Sequence, residues 1–210
     1  MNKCNLKIYE NLQDYSETLL LMQDFTNNRT AQTNDEIWLL QHKPVYTYGS
    51  HTQPELPQNG LEIETIETDR GGNITYHGPG QIVIYTLLDT RRLNYSIHGL
   101  IERLESLTVE LLNNLNITSH LIPDRRGVYV NNAKIASLGL RFKKFCSYHG
   151  LAINVDLDLT PFKYIKPCGY LQKVTSIHEC GVNKNKDEII IMLKNIIPNL
   201  LEVTLSEDKL

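Results

Sequence analysis

Three stretches of the chain repeat large apolar residues every three or four positions, a pattern that predicts helices with one buried face. They cover residues 13–28, 96–116 and 186–200. The repeating residues are Tyr15, Leu19, Met22 and Phe25 in the first stretch, Leu100, Leu104, Leu107, Leu111 and Leu115 in the second, and Ile189, Ile190, Leu193 and Ile197 in the third. Ser96 is a favourable N-cap for the second helix. Beyond the third helix, residues 206–210 are expected to fray.

Shorter apolar runs between the helices predict β-strands. The runs are residues 36–42, 45–48, 63–66, 81–88, 127–130, 134–142 and 147–155. Lys43 and Pro44 separate the first two runs, which predicts two strands or one broken strand. Asn131 and Asn132 tolerate the positive φ of a tight turn, so they predict a hairpin at that point of the chain. Together these elements predict an α+β fold, with a central mixed or antiparallel sheet flanked by helices.

The composition is that of a folded, water-soluble chain, with 41% hydrophobic and 21% charged residues. Its 210 residues fit a single domain that spans residues 1–210. No window approaches the roughly 18 apolar residues of a membrane span, and the first residues lack the apolar core of a secretory signal. We therefore expect a cytoplasmic protein that does not use a membrane.

Cysteine content and charge exclude two further classes. The four cysteines form no Cys-x-x-Cys pair, which argues against a disulfide scaffold. The formal net charge of -3 argues against nucleic acid as the main partner. Basic residues are nevertheless dense at Arg141, Lys143 and Lys144, and again at Lys163, Lys166 and Lys173. They form either an ordinary solvated face or a surface that steers an acidic partner.

A glycine-rich stretch lies between the predicted strands at 63–66 and 81–88. Arg70-Gly71-Gly72 and Gly78-Pro79-Gly80 bracket Thr75, Tyr76 and His77. Such a stretch is either a loop whose backbone amides approach a ligand or a plain connector between strands. It has neither the Gly-Lys-Ser/Thr of a Walker loop nor the G-x-G-x-x-G of a dinucleotide fold, so nucleotide phosphate is not indicated.

Cys168 is the candidate nucleophile of the chain. Pro167 and Gly169 on either side interrupt any regular ladder, which predicts a loop or bend that presents the sulfur. A free thiol has a pKa near about 8.5 and needs a nearby cation or base to react at neutral pH. Lys134, His77 and His149 are the candidates for that partner. By itself, a single cysteine is more often a small buried apolar residue than a nucleophile.

Cys146 with His149 and His178 with Cys180 are the two spacings that could belong to a metal site. Neither pair is accompanied by a second close Cys or His pair of the usual spacing. We therefore predict no metal site and no cofactor.

Four segments of the chain, taken in order, resemble one family. They are Arg-Gly-Gly-Asn-Ile-Thr-Tyr-His-Gly-Pro-Gly-Gln at 70–81, Lys-Ile-Ala-Ser-Leu-Gly at 134–139, His-Gly-Leu-Ala-Ile-Asn at 149–154 and Pro-Cys-Gly at 167–169. The family is octanoyltransferase, the lipoyl(octanoyl) transferase of lipoate biosynthesis. The resemblance runs from about residue 69 to about residue 179 and adds little outside that range.

The resemblance implies the fold of the biotin and lipoate ligases and an acyltransferase activity, the first step of protein lipoylation. The donor would be octanoyl-acyl carrier protein. The acceptors would be lysine amines on the lipoyl domains of 2-oxoacid dehydrogenase E2 subunits and on the glycine cleavage H protein. Cys168 would carry the acyl group as a thioester, and Lys134 would lower the pKa of its thiol. The acyl pocket would be lined by Arg70, Gly71, Gly72, Asn73, Ile74, Thr75, Tyr76, His77, Ser137, Leu138, Gly139, Gly150, Leu151 and Ala152.

Three alternatives remain open at the level of sequence. One is a lipoate or biotin ligase of the same fold, which activates a free acid with ATP and needs no nucleophilic cysteine. Another is a binding module for acyl chains or for acyl carrier protein, without catalysis. The third is a papain-like hydrolase that uses Cys168 with His77 or His149 as its base.

Overall fold

The computed structural model describes residues 2–49, 52, 62–165 and 172–209. Its strands are β1 (Asn2–Gln13), β2 (Asp35–His42), β3 (Val45–Gly49), β4 (Glu64–Thr68), β5 (Thr75–His77), β6 (Gln81–Leu87), β7 (His120–Ile122), β8 (Arg125–Val130), β9 (Ala133–Lys143), β10 (Cys146–Asn154) and β11 (Val203–Lys209). Its α-helices are α1 (Tyr15–Asn28), α2 (Thr90–Leu93), α3 (Ile97–Asn114) and α4 (Lys186–Leu200), and a 3₁₀ helix covers Thr160–Tyr164.

Eight strands form one mixed sheet in the order β11-β1-β2-β6-β10-β9-β8-β7. β1 is parallel to both of its neighbours, β11 and β2, and the remaining pairs are antiparallel. The central strands β6 and β10 are buried along their whole length. Their almost continuous apolar sequences follow from this position, since both faces of the middle of the sheet are covered.

Helices cover the two faces of the large sheet. Alternate residues of β2 show the division, because Ile37 and Leu39 pack on the side of α3 and α4 whereas Trp38 and Leu40 pack on the side of α1. This period of two is the one that a strand between two layers requires. The prediction of an α+β fold with a mixed sheet flanked by helices is confirmed.

A small sheet with the strand order β4-β3-β5 lies beside the large one. β3 is parallel to β4 and antiparallel to β5. Its aromatic residues Tyr46 and Tyr76 form a separate apolar cluster with Phe162 of the 3₁₀ helix. The glycine-rich chain after β4 runs from this sheet to the edge of the large sheet, where the amide of Gly71 donates to the Leu140 carbonyl at 2.9 Å.

The predicted helices agree with α1, α3 and α4. Ser96 is the N-cap of α3, and its hydroxyl accepts a hydrogen bond from the Gly99 amide at 2.9 Å. Asn185 and Glu188 form a capping box at the start of α4. These polar N-caps fix where the two helices begin, because they satisfy amides of the first turn that have no partner inside the helix.

The two ends of the chain differ from the prediction. Residues 206–210 were expected to fray, but residues 206–209 belong to β11, which pairs in parallel with β1. β1 was not predicted at all, although Cys4, Leu6 and Ile8 alternate as buried residues along it. The prediction was wrong because each strand is stabilised by a partner about 200 positions away in the sequence, and local pattern carries no information about such a partner.

The glycine-rich stretch also contains more regular structure than predicted, since Thr75–His77 form β5. The hairpin between β8 and β9 is present as predicted, and Asn131 and Asn132 take positive φ values of 46° and 66°. None of the helices in the described ranges is long and apolar enough to cross a membrane.

Candidate active site

A cavity of about 220 Å³ lies between the glycine-rich chain and the paired strands β6, β10 and β9. Two cross-strand rows form part of its wall. One row is Val83, Ala152 and Ser137, and the other is Tyr85, Gly150 and Gly139. Small residues on β9 and β10 leave the space between these strands and the loop unfilled.

Two of the small residues have a further structural reason. A Cβ on Gly150 would lie 2.0 Å from the carbonyl oxygen of Ile84, and one on Gly139 would lie 2.8 Å from that of Gly71. Both positions therefore need glycine because another backbone passes close by. Gly139 in particular lets the glycine-rich chain lie directly on β9.

Most of the residues predicted to form an acyl pocket line this cavity. They are Arg70, Gly72, Asn73, Ile74, Thr75, His77, Ser137, Leu138, Gly139, Gly150, Leu151 and Ala152. Gly71 and Tyr76 do not. Gly71 contacts β9 through its backbone, and the Tyr76 ring packs edge-on against Phe162 with centroids 5.8 Å apart.

The inner end of the cavity is formed by the buried side chains of Tyr15, His77, Tyr85 and His149. His77 is hydrogen-bonded through Nδ1 to Gln81 Oε1 at 2.6 Å. Because the amide oxygen can only accept, Nδ1 carries the proton. Burial lowers the pKa of His77 to about 3. The imidazole is therefore neutral at neutral pH.

A second buried histidine supports this end from behind. His42 Nδ1 lies 3.1 Å from the carbonyl oxygen of Gln13, and Nε2 lies 2.7 Å from the Tyr85 hydroxyl. The carbonyl fixes the proton on Nδ1, so Nε2 accepts from Tyr85. Burial lowers the pKa of His42 to about 4. His42, His77 and Tyr85 are thus neutral rings held by hydrogen bonds.

Asp69 fixes the third histidine of this end. Its carboxylate accepts hydrogen bonds from His149 Nε2 at 2.8 Å, from Gln23 Nε2 at 3.1 Å and from the Tyr148 hydroxyl. Burial alone would raise the pKa of Asp69, but the hydrogen bonds from His149 and Tyr148 hold it well below its usual range. Burial lowers the pKa of His149 in spite of Asp69. The pair is therefore a neutral imidazole that donates to a carboxylate.

Arg70 is buried beside the cavity and ties the glycine-rich chain to β3. Its guanidinium donates to the carbonyl oxygens of Thr47 at 2.7 Å and Asn73 at 2.8 Å. It also donates to the carbonyl oxygen of Gly71 at 2.9 Å. Burial lowers its pKa, although tyrosines nearby oppose this. These contacts explain an arginine at the start of the glycine-rich chain, since it closes the loop on itself.

Apart from the buried Arg70, the charged groups that line the cavity lie at its outer end. This end is formed by Asp124, Arg125, Arg126, Lys134 and Gln172. Lys134 lies at the start of β9, and its ammonium donates to the carbonyl oxygen of Arg126 at 3.0 Å. The same Nζ lies 5.3 Å from the centre of the Tyr129 ring. Lys134 therefore projects from a hairpin whose other strand, β8, holds its head group.

The backbone of Lys134 is paired with the chain that precedes α4. Its amide donates to the Lys173 carbonyl at 2.8 Å, and its carbonyl accepts from the Thr175 amide at 3.0 Å. Gln172 and Val174 of this segment line the cavity. Phe162 of the 3₁₀ helix also lines the cavity.

Cys168, together with Pro167 and Gly169, lies outside the described residues. The three described cysteines are Cys4, Cys146 and Cys180, and none of them lines the cavity. Burial raises the pKa of the Cys4 and Cys146 thiols, which opposes reactivity. Within the described chain, no thiol is placed to act at this cavity.

Several lining residues were not expected from the sequence. Val83, Tyr85, His149 and Phe162 belong to them, together with Tyr15 at the start of α1. The sequence offers His149 as a partner for a thiol or as a metal ligand with Cys146, whereas the structure places it at the inner end. Strand pairing and the position of α1 bring these residues together, and neither is visible in a local sequence pattern.

The basic residues divide into separate groups. Lys143 lies at the far end of β9, nine residues from Lys134, which corresponds to about 30 Å along a strand. Its Nζ donates to Asn27 Oδ1 at 2.6 Å. Lys163 and Lys173 are exposed, and Lys166 lies outside the described residues. Arg125 and Arg126, rather than the 141–144 group, are the basic residues at the outer end.

Metal ligands do not cluster in the part of the chain that the structure describes. No group of three or more His, Cys, Asp or Glu side chains there is placed to hold a metal ion. Cys146 Sγ is directed to the carbonyl oxygen of Lys144 at 3.6 Å, and His149 to Asp69.

Sequence comparison relates this chain to one family. The model of the lipoyl protein ligase A/B catalytic domain matches residues 14–195. An octanoyltransferase from Chromobacterium violaceum is 49% identical over 173 residues, which cover 81% of this chain and 83% of the relative. An octanoyltransferase from Vesicomyosocius okutanii subsp. Calyptogena okutanii is 44% identical over 185 residues, or 88% of this chain and 90% of the relative.

Solved structures show the same fold at low identity. A lipoate-protein ligase A bound with ATP has a TM-score of 0.81 at 14% identity, covering 100% of this chain and 90% of that one. A bi-partite lipoate protein ligase from Thermoplasma acidophilum has a TM-score of 0.81 at 15% identity, with 100% and 88% covered. The biotin protein ligase from Aquifex aeolicus is more distant, with a TM-score of 0.51 at 14% identity and 96% and 69% covered.

Proposed function

The chain belongs to the octanoyltransferase family, within the lipoyl protein ligase A/B catalytic domains, and we propose that it transfers octanoyl from octanoyl-acyl carrier protein through a thioester on Cys168. Acyl transfer in protein lipoylation is the activity that the family supports. The proposal adds the donor, the covalent intermediate and the roles of individual residues.

The observation that carries the proposal is the position of Lys134. It stands at the charged outer end of the cavity, and its backbone pairs with Lys173 and Thr175, five and seven residues after Cys168 in the sequence. A lysine ammonium near a thiol favours the thiolate, which is the nucleophilic form. Lys134 is also a better candidate for this role than His77 or His149, because both histidines are buried at the inner end.

The inner part of the cavity suits an alkyl chain. Its wall includes Val83, Ala152 and Leu151, and its end consists of neutral rings. Burial of a medium acyl chain contributes about 0.8 kcal/mol per methylene, on the order of 5 kcal/mol for octanoyl. We infer that the chain lies along β9 and β10, with its carbonyl at the outer end.

In the first half-reaction, the Cys168 thiolate attacks the thioester carbonyl of the donor. The bond between the acyl carbon and Cys168 Sγ forms, and the bond to the donor sulfur breaks. The departing thiolate takes a proton from the Lys134 ammonium, so that the donor leaves as a thiol. The enzyme is left with an octanoyl thioester and a neutral amine on Lys134.

In the second half-reaction, the neutral lysine amine of the acceptor attacks this thioester. The tetrahedral intermediate gives a proton to the Lys134 amine, and Cys168 leaves as a thiolate. The product is an amide, and the starting ion pair is restored. The acceptors are lipoyl domains of 2-oxoacid dehydrogenase E2 subunits and the glycine cleavage H protein.

The experiment compares two donors with one acceptor. Octanoyl-acyl carrier protein without ATP, or octanoate with ATP, is incubated with the protein and a lipoyl domain, and octanoyl-lysine is measured by mass spectrometry. We expect product from the carrier-bound donor alone. Product only from octanoate with ATP would contradict the proposal in favour of a ligase, the activity of the structural relative bound with ATP.

Two cysteine variants complete this experiment. Cys168→Ser should abolish transfer, whereas Cys180→Ser is the matched control and should transfer normally, because Cys180 does not line the cavity. Full activity of Cys168→Ser would contradict covalent catalysis. Hydrolysis of the donor without transfer to the acceptor would favour a hydrolase instead.

A further inference from the structure

Glu105 places a carboxylate on the buried, apolar face of α3. It lies on the buried face of α3 between Leu104 and Leu107, and it is only 4% exposed. Burying a carboxylate is unfavourable unless it is paired or hydrogen-bonded. The apolar repeat of α3 predicts an apolar residue at this position. The contacts of the carboxylate must therefore explain why a glutamate is there.

The carboxylate of Glu105 binds the start of β8. Its Oε1 accepts a hydrogen bond from the Gly127 amide at 3.1 Å. Its Oε2 lies 3.6 Å from the Arg126 guanidinium. Both contacts fall on adjacent residues, so Glu105 fixes the position of the peptide that joins Arg126 to Gly127.

The same two residues hold Lys134. The carbonyl oxygen of Arg126 accepts the hydrogen bond from Lys134 Nζ at 3.0 Å. Gly127 has a φ of 121°, and a Cβ there would lie 3.2 Å from Lys134 Cε and 2.5 Å from the Ala136 carbonyl oxygen. The stem of Lys134 therefore lies against the bare backbone of Gly127, and its head group is bound one residue earlier.

We propose that Glu105 is a positioning residue for Lys134, acting through the Arg126–Gly127 peptide. The carboxylate on α3 holds this peptide, and the peptide holds both the stem and the ammonium of the lysine. Glu105 does not line the cavity and touches no substrate. The inference rests on the proposed function, in which Lys134 controls the thiol of Cys168.

The test is a double-mutant cycle between Glu105 and Lys134. The rate of Cys168 alkylation by iodoacetamide at neutral pH is measured by peptide mass spectrometry, together with kcat and KM for octanoyl transfer. Glu105→Leu should lower the alkylation rate and kcat by about 10- to 100-fold with little change in KM, since a displacement near 1 Å can have an effect of this size. In a Lys134→Ala background, the same change should lower the alkylation rate by less than about 3-fold.

The control is Glu102→Gln, an exposed carboxylate on the same helix, which should leave both measurements unchanged. Glu105→Gln keeps an acceptor for the Gly127 amide and removes the charge opposite Arg126, so we expect a smaller loss than for Glu105→Leu. If Glu105→Leu does not fold, the cycle is run with Glu105→Gln, whose loss should also disappear in the Lys134→Ala background.

If the Glu105 variant lowered the alkylation rate by the same factor in both backgrounds, the positioning role would be overturned, because a general loss of structure does not depend on Lys134. A Glu105 variant with wild-type alkylation and kcat would overturn it as well. A Lys134→Ala protein with wild-type alkylation and transfer would instead overturn the proposed function, and with it this inference. The two failures are therefore distinguishable.

Discussion

The two ends of the cavity differ in charge, burial and the elements that build them. At the inner end, His77 and His149 are buried and neutral, and each is fixed by a hydrogen bond to a neighbouring side chain. At the outer end, Lys134 is partly exposed. The cavity there is also lined by Asp124, which precedes β8, and by Arg125 and Arg126 on β8. The inner end combines β6 and β10 of the large sheet with β5 of the small sheet and the start of α1, whereas the outer end belongs to a hairpin near the edge of the large sheet.

In the proposed mechanism, this difference separates acyl binding from proton transfer. The inner end suits the alkyl part of an acyl group, because its rings are neutral and the nearby charges of Arg70 and Asp69 are hydrogen-bonded, so burying the chain there leaves no charge without a partner. A charged, accessible end suits a proton transfer and the arrival of two large protein substrates in turn. The predictions below follow the difference from the largest expected effect to the smallest.

The largest effect is expected at the outer end. Lys134→Ala should lower octanoyl transfer by about 10²- to 10⁴-fold, the usual contribution of a general acid and base. Lys134→Arg should keep Cys168 reactive towards iodoacetamide but still transfer slowly, since arginine keeps its charge and cannot give up the proton. Lys143→Ala, at the far end of β9, is the control and should be unaffected. Equal loss in all three variants would contradict the assignment.

The inner end predicts the pH dependence of stability. His42 and His77 have folded pKa values of about 4 and about 3, below the value of about 6.5 for an unfolded histidine. The unfolded chain therefore binds more protons as pH falls from about 6.5 towards 4, and the free energy of unfolding should fall by on the order of 5 kcal/mol for the two histidines together. Urea unfolding between these pH values measures it, and a flat profile in this window would contradict a neutral inner end.

A change of cavity length should alter substrate choice. Ala152→Leu adds bulk between Val83 and Ser137 on the wall of the cavity. We expect the ratio of kcat/KM for octanoyl to kcat/KM for butanoyl to fall about 10-fold, because a few methylenes of the longer chain are no longer buried in the cavity. Competition between the two donors measures this ratio directly. An unchanged ratio would place the acyl chain elsewhere.

The smallest effect concerns arrival of the acidic donor. Arg125→Glu at the outer end should raise KM for the carrier protein by about 3- to 10-fold at low salt and less at high salt. Lys143→Glu should have no such effect if the 141–144 group is only a solvated face. The opposite result, with Lys143→Glu the stronger, would move the docking surface to the hairpin between β9 and β10.

The sequence was informative where a pattern is local. Leucines at helical spacing placed α3, and Asn131 and Asn132 placed the hairpin that carries Lys134. The sequence did not predict strands that depend on a distant partner, as β1 and β11 do. Among the residues that line the cavity, Lys134 and His77 stand in sequence motifs, whereas nothing in the sequence marks Tyr85, because only its pairing with Gly150 brings it to the cavity. The role proposed for Glu105 could not be predicted, because the residue stands within the apolar repeat of α3 and no motif marks it.

The central claim is that Cys168 carries the acyl group between donor and acceptor. Intact-mass analysis after incubation with octanoyl-acyl carrier protein, without acceptor and without ATP, tests it most directly. We predict a protein heavier by one octanoyl group, with the adduct mapped to Cys168, released on addition of a lipoyl domain and absent from Cys168→Ser. An unmodified protein that nevertheless transfers octanoyl when the lipoyl domain is added would contradict the account.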